Sequence, residues 1–393
     1  FPARKIAAGE HLAMRIECVA TSRVPSNTAN SIQVMKVCEA LAALGNQVKL
    51  CVPAYKEPTA WDALAELYGL NTNFHISWLP FRKELKQYDF CLQAVSEAKK
   101  WKADVVYTWA LQAAVFAQRR LLPVVMEFHD LPTGKFGPFL FRRYIEKQIT
   151  SLSLCNTHAL KQKLEMDYQF EFLKNSIRIA PNGTDPDLYE NLPSPSEARK
   201  QLALPEILTV GYSGHFYAGR GVDLLFELAK LLPYVQFLLV GGNEKDIKPW
   251  LEQIKSHNIH NMILIGFVPK KRLPLFLAAS DILVMPYGKE IHISTGISTI
   301  EVINPMKMFD YLACGRPIIS SEIPVLHEVL NEMTTIFCPS DDVQSWAAAI
   351  NKLFSDSSLR TQMGKNGKQE SKKYSWKNRQ VDAIKQLEDL LKS

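Results

Sequence analysis

The chain has 393 residues, of which 47% are hydrophobic and 22% are charged, and its formal net charge is +6. This composition is that of a globular protein and excludes an intrinsically disordered chain, while the length favours two α/β domains over a single core. The longest apolar stretches, such as residues 208–214 and 235–242, have the length of strands and fall far short of the ~20 residues that a membrane-spanning helix needs.

Residues 1–13 carry no apolar segment of the kind found in secretory signals, and the pattern of a folded protein begins at Met14. We therefore expect Met14 to be the native start and residues 1–13 to be a leader. The seven cysteines are widely spaced, lack a C-x-x-C motif and mostly lie in apolar runs, which is typical of buried free thiols in a reducing compartment. The expected location is the cytoplasm, with the inner face of the membrane left open.

Short apolar runs alternate with amphipathic helical stretches along the whole chain, which predicts a parallel α/β architecture. Two helices of the first half are predicted at 31–44 and 84–100. The strands predicted in the first half are 15–20, 48–52, 75–79, 104–108, 124–128, 152–155 and 177–180.

The strand and helix pattern starts again at residue 208 and ends with an amphipathic helix at 376–391. The polar stretch 185–197 contains prolines and is the predicted linker. The predicted domains are therefore 14–184, 185–375 and a final helical segment, 376–393. The strands predicted in the second half are 208–212, 236–240, 262–265, 282–285, 317–320 and 335–338.

Ligands of parallel α/β sheets bind where strands end and helices begin, and residues 210–223 are the first candidate. A strand there leads into a loop and then into a helix near Val222, and the whole stretch contains four glycines. Glycines permit close backbone approach, and Arg220 can donate to phosphate oxygens. The loop is not G-x-G-x-x-G, which disfavours a nicotinamide site, and a purely structural glycine turn remains an equal alternative.

A second candidate begins at Asn304, which we predict to be an N-cap followed by Pro305 as the first helical residue. Lys307 in the first turn is unfavourable beside the positive end of a helix unless an anion binds there. Asp310, one turn later, could accept hydrogen bonds from a ribose. The alternative is that Lys307 and Asp310 pair with each other.

Two weaker candidates lie in the first half. His129 follows the predicted strand 124–128 and is expected to project into a cleft, although a lone histidine is more often a structural hydrogen-bonding residue. The polar turn 21–31, which includes Asn27 and Asn30, is expected to face the same cleft.

Basic residues cluster at 82–83, 99–102, 119–120 and 142–143. These clusters match no nucleic-acid-binding motif, so no nucleic-acid partner is expected. The aromatic and basic stretch 135–143 has two interpretations: the start of a helix that faces the core, and a peripheral contact with a membrane surface. The pair Asp341-Asp342 is expected to begin a helix, and no paired carboxylates suggest a metal site.

Taken together, these segments resemble the retaining glycosyltransferases of family 4, the group 1 glycosyltransferases, which have the GT-B fold. The block 304–317 is similar to the family pattern S-P-x-K-x-F-E-Y-M-A-x-G-x-P. The other segments that carry the resemblance are Glu127-Phe128-His129-Asp130 and residues 179–185, 214–221 and 240–242.

The resemblance implies two Rossmann-like domains that face a central cleft, with the C-terminal helix crossing back to the N-terminal domain. It implies a nucleotide-sugar donor, for example a UDP- or GDP-sugar, on the second domain and the acceptor on the first. The implied catalytic residues are His129, Arg220 and Lys307. The implied donor-binding residues are Gly214, His215, Arg220, Asn304, Met306, Lys307 and Asp310, and the candidate acceptor or sugar contacts are Asn27, Asn30 and Glu301.

The chain departs from the family at three places. One is the N-terminal turn, where Asn27-Thr28-Ala29-Asn30 stands in place of the Gly-Gly often found there. Val302 occupies the position of the first acid of the common E-x7-E pair, with Glu301 adjacent and Asp310 as the second acid. His215 stands where many members have arginine. These differences leave the donor and the role of Glu301 open.

We therefore predict a glycosyltransferase that uses a nucleoside diphosphate sugar, retains anomeric configuration, and needs neither a metal nor another cofactor. The acceptor is a glycan, a lipid-linked sugar or a small molecule. The alternatives are a nucleotide-sugar epimerase on the same fold and a non-catalytic relative that binds sugar or lipid. The sugar, the base and the oligomeric state are left open.

Overall fold

The computed structural model describes residues 13–147, 151–293, 296–298 and 300–392. The chain divides into two compact units. The first contains the residues up to Ala180 and those from Trp376 onward, and the second is Pro181–Ser375. Of the predicted leader, residues 1–12 lie outside the described residues.

The first unit is built on a parallel seven-stranded sheet with the strand order β3-β2-β1-β4-β5-β6-β7. Three of its strands, Val105–Thr108, Val124–Phe128 and Ser151–Cys155, are buried along their whole length because helices connect the strands across the sheet faces. The elements are β1 (Arg15–Val19), α1 (Ala29–Ala43), β2 (Gln47–Pro53), α2 (Trp61–Tyr68), β3 (His75–Leu79), α3 (Tyr88–Trp101), β4 (Val105–Thr108), α4 (Leu111–Arg119), β5 (Val124–Phe128), α5 (Gly137–Ile145), β6 (Ser151–Cys155), α6 (His158–Tyr168) and β7 (Ile177–Ile179).

The second unit has a parallel six-stranded sheet with the order β10-β9-β8-β11-β14-β15 and a separate antiparallel hairpin, β12-β13. Its elements are α7 (Pro195–Gln201), β8 (Thr209–Ser213), α8 (Val222–Leu231), β9 (Gln236–Val240), α9 (Glu244–Ser256), β10 (Met262–Gly266), α10 (Leu273–Ala278), β11 (Ile282–Met285), β12 (Ile291–Ile293), β13 (Gly296–Ser298), α11 (Met306–Cys314), β14 (Ile318–Ser321), β15 (Thr335–Cys338), α12 (Val343–Ser355) and α13 (Ser357–Ser371).

The last helix, α14 (Trp376–Lys392), belongs to the first unit, where it packs on α1 and β6. Its buried residues recur three and four positions apart, as expected of a helix that presents one face to a core. They are Trp376, Arg379, Gln380, Ala383, Ile384 and Leu387.

The two compact units divide between Ala180 and Pro181, four residues before the predicted boundary after residue 184. The backbone N–H of Asn182 donates to Asn304 Oδ1 at 2.7 Å, and that of Thr184 donates to the carbonyl of Tyr374 at 2.9 Å. The predicted linker 185–197 is also structured. It contains a 3₁₀ turn (Pro186–Tyr189) and the N-terminus of α7, where Ser194 and Glu197 form a capping box.

The predicted strands agree with the observed ones to within one residue at each end. The predicted helix 84–100 instead begins at Tyr88, because Lys86 and Gln87 have left-handed backbone conformations that interrupt it. The hairpin β12-β13 was not predicted.

All seven cysteines are buried and none is in a disulfide, which confirms the prediction of buried free thiols. Among the described helices, none combines the length and apolarity needed to cross a bilayer.

In both large sheets the strand order reverses direction beside the first strand, between β1 and β4 and between β8 and β11. Ligands of open parallel sheets bind at the carboxyl ends of the strands at such points. The loops after β1, β4, β8 and β11 are therefore where a site is expected in each unit.

Candidate functional site

Lys307 is the most unusual side chain at the carboxyl end of β8. It lies in the first turn of α11, and although the residue is partly exposed, its Nζ is buried. Within the described ranges of the chain, this Nζ has no hydrogen-bond partner. Burial lowers the pKa of Lys307 well below its ordinary value, and the charge of Arg220 lowers it further. An anion next to Nζ would reverse both effects.

Two rings and a glycine form the walls around the Lys307 amine. Nζ lies 3.8 Å from the ring centroid of Tyr212 and 5.5 Å from that of Tyr287. A Cβ on Gly214 would lie 2.8 Å from Nζ, so a side chain at this position would displace the amine. Gly214 also has a φ of +148°, which favours glycine. Gly214, which follows β8, therefore leaves room for the side chain of Lys307 in the first turn of α11.

Arg220 brings a second cation to the same ring. Its Cζ lies 5.6 Å from the ring centroid of Tyr287, and its Nε is buried with no hydrogen-bond partner among the residues that the structure describes. Lys307 and Arg220 therefore approach one aromatic ring with unsatisfied donors. Two like charges held this close favour the binding of an anion between them.

Gly221, in the same loop, is required by the packing of the backbone. Gly221 precedes α8 with a φ of +75°, and a Cβ there would lie 1.7 Å from the carbonyl oxygen of Pro286. It allows the loop to pack against the end of β11. The glycine-rich loop is therefore partly a structural turn and partly a wall of the candidate site.

The predicted cap of α11 is wrong. The helix begins at Met306, and Pro305 occupies the N-cap position with no side-chain cap. The side chain and the carbonyl of Asn304 are engaged by Asn182, whose N–H and Nδ2 donate to them at 2.7 Å each. No side chain at the N-cap accepts from the first N–H groups of the helix, so these groups, including that of Met306, are suited to donate to a ligand.

The alternative in which Asp310 pairs with Lys307 is wrong, because the carboxylate of Asp310 has other partners. Its Oδ1 accepts from Thr184 Oγ1 at 2.8 Å, and its Oδ2 is bonded to Lys270 Nζ. Asp310 is 3% exposed. A role in binding a ribose stays a prediction for this carboxylate.

Two other residues implied by the resemblance lie nearby in the chain. The ring of His215, which follows Gly214, stacks on that of Tyr217 with centroids 4.9 Å apart, and its carbonyl accepts from Tyr212 Oη. Glu301 is exposed in a 3₁₀ turn (Ile300–Val302). Their contacts with a ligand stay predictions.

His129 follows β5 in the first unit and is held by a buried carboxylate. Its Nε2 lies 2.7 Å from Glu127 Oε1, because residues two apart along a strand point to the same face. Burial opposes the charge of Glu127, but Arg379 and His129 lower the pKa of this carboxyl to about 2. An ionised carboxylate only accepts hydrogen bonds, so Nε2 of His129 carries the proton and Nδ1 is left for another group.

Glu127 is also fixed by three residues from distant parts of the first unit. Arg379 of α14 donates to both carboxylate oxygens, Gln33 of α1 donates to Oε1, and Tyr107 donates to Oε2. Such a network orients the carboxylate, and through it the imidazole.

The turn between β1 and α1 contains the two predicted acceptor contacts. Asn30 accepts from Ser22 Oγ at 2.6 Å, and Thr28 provides the side-chain cap of α1. Asn27 lies in the same turn and is partly buried. The structure places both asparagines after β1, at the strand-order reversal of the first sheet.

Sequence reasoning missed Tyr287, Tyr212 and the partners of His129. Tyr287 comes two residues after the end of β11, and Glu127 precedes His129 by two, so strand-end position and alternation were usable signals. Nothing local in the sequence indicates Arg379, which lies more than two hundred residues from Glu127. In the described parts of the chain, no three His, Cys, Asp or Glu residues are grouped as metal ligands.

Two family models match the chain: "Glycosyltransferase Family 4" over residues 31–188 and "Glycosyl transferases group 1" over residues 195–370. A glycosyltransferase of Methanocaldococcus jannaschii is 25% identical over 281 residues, covering 70% of this chain and 71% of the relative. A phosphatidyl-myo-inositol mannosyltransferase of Mycolicibacterium smegmatis is 23% identical over 365 residues, covering 87% and 85%.

The fold is similar to that of HepE from Anabaena, a structure solved in complex with UDP. The TM-score is 0.72 at 18% identity, with 94% of this chain and 99% of that chain covered. Together with the two models, which account for most of both units, this identifies the chain as a member of the family 4 and group 1 glycosyltransferases, an enzyme with the GT-B fold.

Proposed function

We propose that this glycosyltransferase takes its sugar from a nucleoside diphosphate sugar and binds the diphosphate with Lys307, Arg220 and the first N–H groups of α11. The observation that carries the proposal is the buried Lys307 Nζ, which lacks a partner in the described residues and shares the Tyr287 ring with Arg220, whose Nε also lacks one there. Burying an unpaired charge is costly, so an anion beside the amine favours its charged form and is bound in return. HepE, a similar fold, was solved with UDP.

The chemical demand of the reaction fits these residues. Departure of a nucleoside diphosphate leaves negative charge on the phosphates while positive charge develops on the sugar. Preorganised donors aimed at developing charge typically contribute on the order of 100- to 1,000-fold each in rate. We propose that Lys307 and Arg220 are these donors and that no metal ion is required.

His129 is proposed to act beside the transferred sugar, as the family resemblance implies. Glu127 keeps its Nε2 protonated and leaves Nδ1 directed elsewhere, so the ring has one defined orientation. We propose that the reaction retains anomeric configuration, on the basis of the similarity of residues 304–317 to the retaining family.

Peripheral membrane contact is proposed for the outward face of α5. Leu140, Phe141 and Tyr144 face the core, as the first interpretation of this segment predicted, whereas Phe136 and Phe139 are 51% and 52% exposed. The flanking cations are Lys135, over the Phe136 ring, and Arg143, over the Phe139 ring. Exposed aromatics beside cations favour an anionic lipid surface.

The test of the donor proposal is calorimetry of the purified protein with UDP, GDP and ADP, followed by turnover with the sugar forms of whichever binds. Arg220→Ala and Lys307→Ala should each lower kcat by about 100-fold or more while the fold is retained. The matched control is Lys289→Ala, since Lys289 is exposed and paired with Asp341. Unchanged kinetics in both site variants would remove the diphosphate assignment.

Two further measurements address the remaining choices. Release of free nucleoside diphosphate only in the presence of acceptor supports transfer, whereas sugar inversion without acceptor would support an epimerase. The anomeric configuration of the fresh product, read by NMR, tests retention directly.

A further inference from the structure

An aromatic pocket of about 440 Å³ lies on the first unit, between α2 and the edge strand β3. Its volume falls within the range of small-molecule binding sites. Trp61, Phe74 and Trp78 supply the aromatic part of its wall. None of the residues named so far as candidate site residues lines it.

The aromatic walls are held in fixed orientations. Trp61 and Phe74 meet edge to face with centroids 5.3 Å apart, and Trp78 Nε1 donates to the carbonyl of Val24 at 3.0 Å. Rings fixed before binding lose little conformational freedom when a ligand arrives. This favours a ligand that stacks on aromatic faces.

The rest of the lining consists of Leu64, Ile76 and three polar residues. Thr59, Asn73 and His75 contribute groups that can donate or accept hydrogen bonds, and no Lys, Arg, Asp or Glu lines the pocket. A phosphate-bearing ligand therefore finds neither lysine nor arginine here, and an acyl chain would leave the polar groups without partners. A neutral sugar ring satisfies both parts, since its C–H face is apolar and its rim carries hydroxyls.

The pocket adjoins the turn that contains the predicted acceptor contacts. Trp78 is bonded to Val24 of that turn, and Tyr68 at the end of α2 accepts from the N–H of Ser26 through its hydroxyl. The same hydroxyl bonds to Ser31, the third residue of α1. A chain of sugars that starts at this turn would reach the pocket along connected elements.

We propose that this pocket binds an uncharged sugar unit of the acceptor, next to the acceptor's reacting end, which makes the acceptor an oligosaccharide or a glycan. The inference rests on the proposed function, since it assumes that the first unit holds the acceptor.

The experiment is saturation-transfer NMR and calorimetry with neutral hexasaccharides (maltohexaose, cellohexaose, mannohexaose and chitohexaose) and an acidic one, oligogalacturonate. At least one neutral hexasaccharide should bind, and Trp61→Ala should weaken it by about 10-fold, equivalent to one lost stacking contact. Asn73→Ala and His75→Ala, at exposed positions, should weaken binding without affecting the fold. Trp101→Ala, a tryptophan outside the pocket, is the matched control.

Three results would overturn the proposal: no neutral hexasaccharide binds, the acidic one binds better, or the pocket variants bind as the wild type does. The same samples are titrated with UDP and GDP. Nucleotide binding without saccharide binding would overturn the pocket alone, whereas loss of both would overturn the proposed function itself.

Discussion

Arg379 donates hydrogen bonds to both carboxylate oxygens of Glu127, so the last helix of the chain fixes the residue that bonds to His129. Both side chains are buried, and Arg379 also donates to the carbonyl of Ala180. The ion pair thus ties α14 to β5 and to the end of the first unit, and it joins the stability of that unit to the orientation of the imidazole.

Breaking this pair should be strongly destabilising. Arg379→Met leaves Glu127 buried without its counter-charge, and we expect a loss of about 3–5 kcal/mol in the free energy of unfolding, measured with urea. The control is Arg178→Met, since Arg178 pairs with Asp382 at a partly exposed position and should contribute less than about 1 kcal/mol. Adding Glu127→Gln to Arg379→Met should recover part of the loss, and no recovery would contradict the ion-pair explanation.

The carboxylate of Glu127 also predicts that the protein loses stability at acid pH. The pKa of Glu127 is lowered from 4.5 to about 2, so the folded protein holds its charge where the unfolded chain is already protonated. Its stabilising contribution is complete above pH 4.5 and is lost as the pH falls toward 2. The difference in stability between wild type and Arg379→Met should therefore shrink across this range.

Glu17 should make stability depend on pH in the opposite direction to Glu127. Burial in β1 raises its pKa from 4.5 to about 7, although Cys51, which donates to it at 2.9 Å, and Lys49 lower it in part. Between these pH values the folded protein keeps a proton that the unfolded chain releases, so stability falls as the pH rises, by about 3 kcal/mol in total. Glu17→Gln should flatten this dependence in urea titrations from pH 4.5 to 8. An unchanged slope would show that Glu17 is not its source.

Lys307 predicts proton uptake on donor binding. Its lowered pKa means that the free amine loses its proton at a lower pH than an ordinary lysine does, and a diphosphate beside it raises that pKa again. Calorimetry of UDP or GDP as a function of pH, in buffers of different ionisation enthalpy, should therefore report proton uptake at pH values between the free and the bound pKa, and this uptake should disappear in Lys307→Met. The variant should also be at least as stable as the wild type without nucleotide, because it removes an unpaired buried amine. Nucleotide binding without proton uptake in the wild type would contradict this account.

Metal independence can be tested on the active enzyme. Because Lys307 and Arg220 are proposed to neutralise the leaving diphosphate, EDTA should change turnover by no more than about twofold. A change of this size is much smaller than the roughly 10-fold loss that corresponds to about 1.4 kcal/mol of transition-state stabilisation. Complete loss that manganese or magnesium restores would refute the metal-free mechanism.

The outward face of α5 predicts binding to anionic vesicles. The protein should co-sediment with phosphatidylglycerol vesicles, less with phosphatidylcholine, and less at high salt, which screens the cations. Phe136→Ser with Phe139→Ser should reduce the bound fraction, whereas Leu92→Ser, at an exposed apolar position of α3, should not. Equal binding by all variants would exclude α5 as the contact.

Local patterns in the sequence predict much of the secondary structure. Strands such as His75–Leu79 and Gln236–Val240 were predicted with their observed bounds, because a short apolar run between polar turns has few other solutions. The starts of helices were less predictable. The residues before α3 have a helical pattern, but the left-handed backbone at Gln87 ends it. Asn304 has the side chain of an N-cap, but it is hydrogen-bonded to Asn182 instead of capping α11.

The sequence alone determined the alternating α/β pattern, the free cysteines, and the family resemblance that singled out Lys307 and Arg220, since each rests on residues close together in the chain. Only the tertiary structure decided that Lys307 lies against Gly214 and the Tyr212 ring, that Asp310 bonds to Thr184 and Lys270, and that Arg379 reaches Glu127. These contacts join residues dozens to hundreds of positions apart. They form because of burial and charge pairing in the folded chain, and local sequence preferences indicate neither of these.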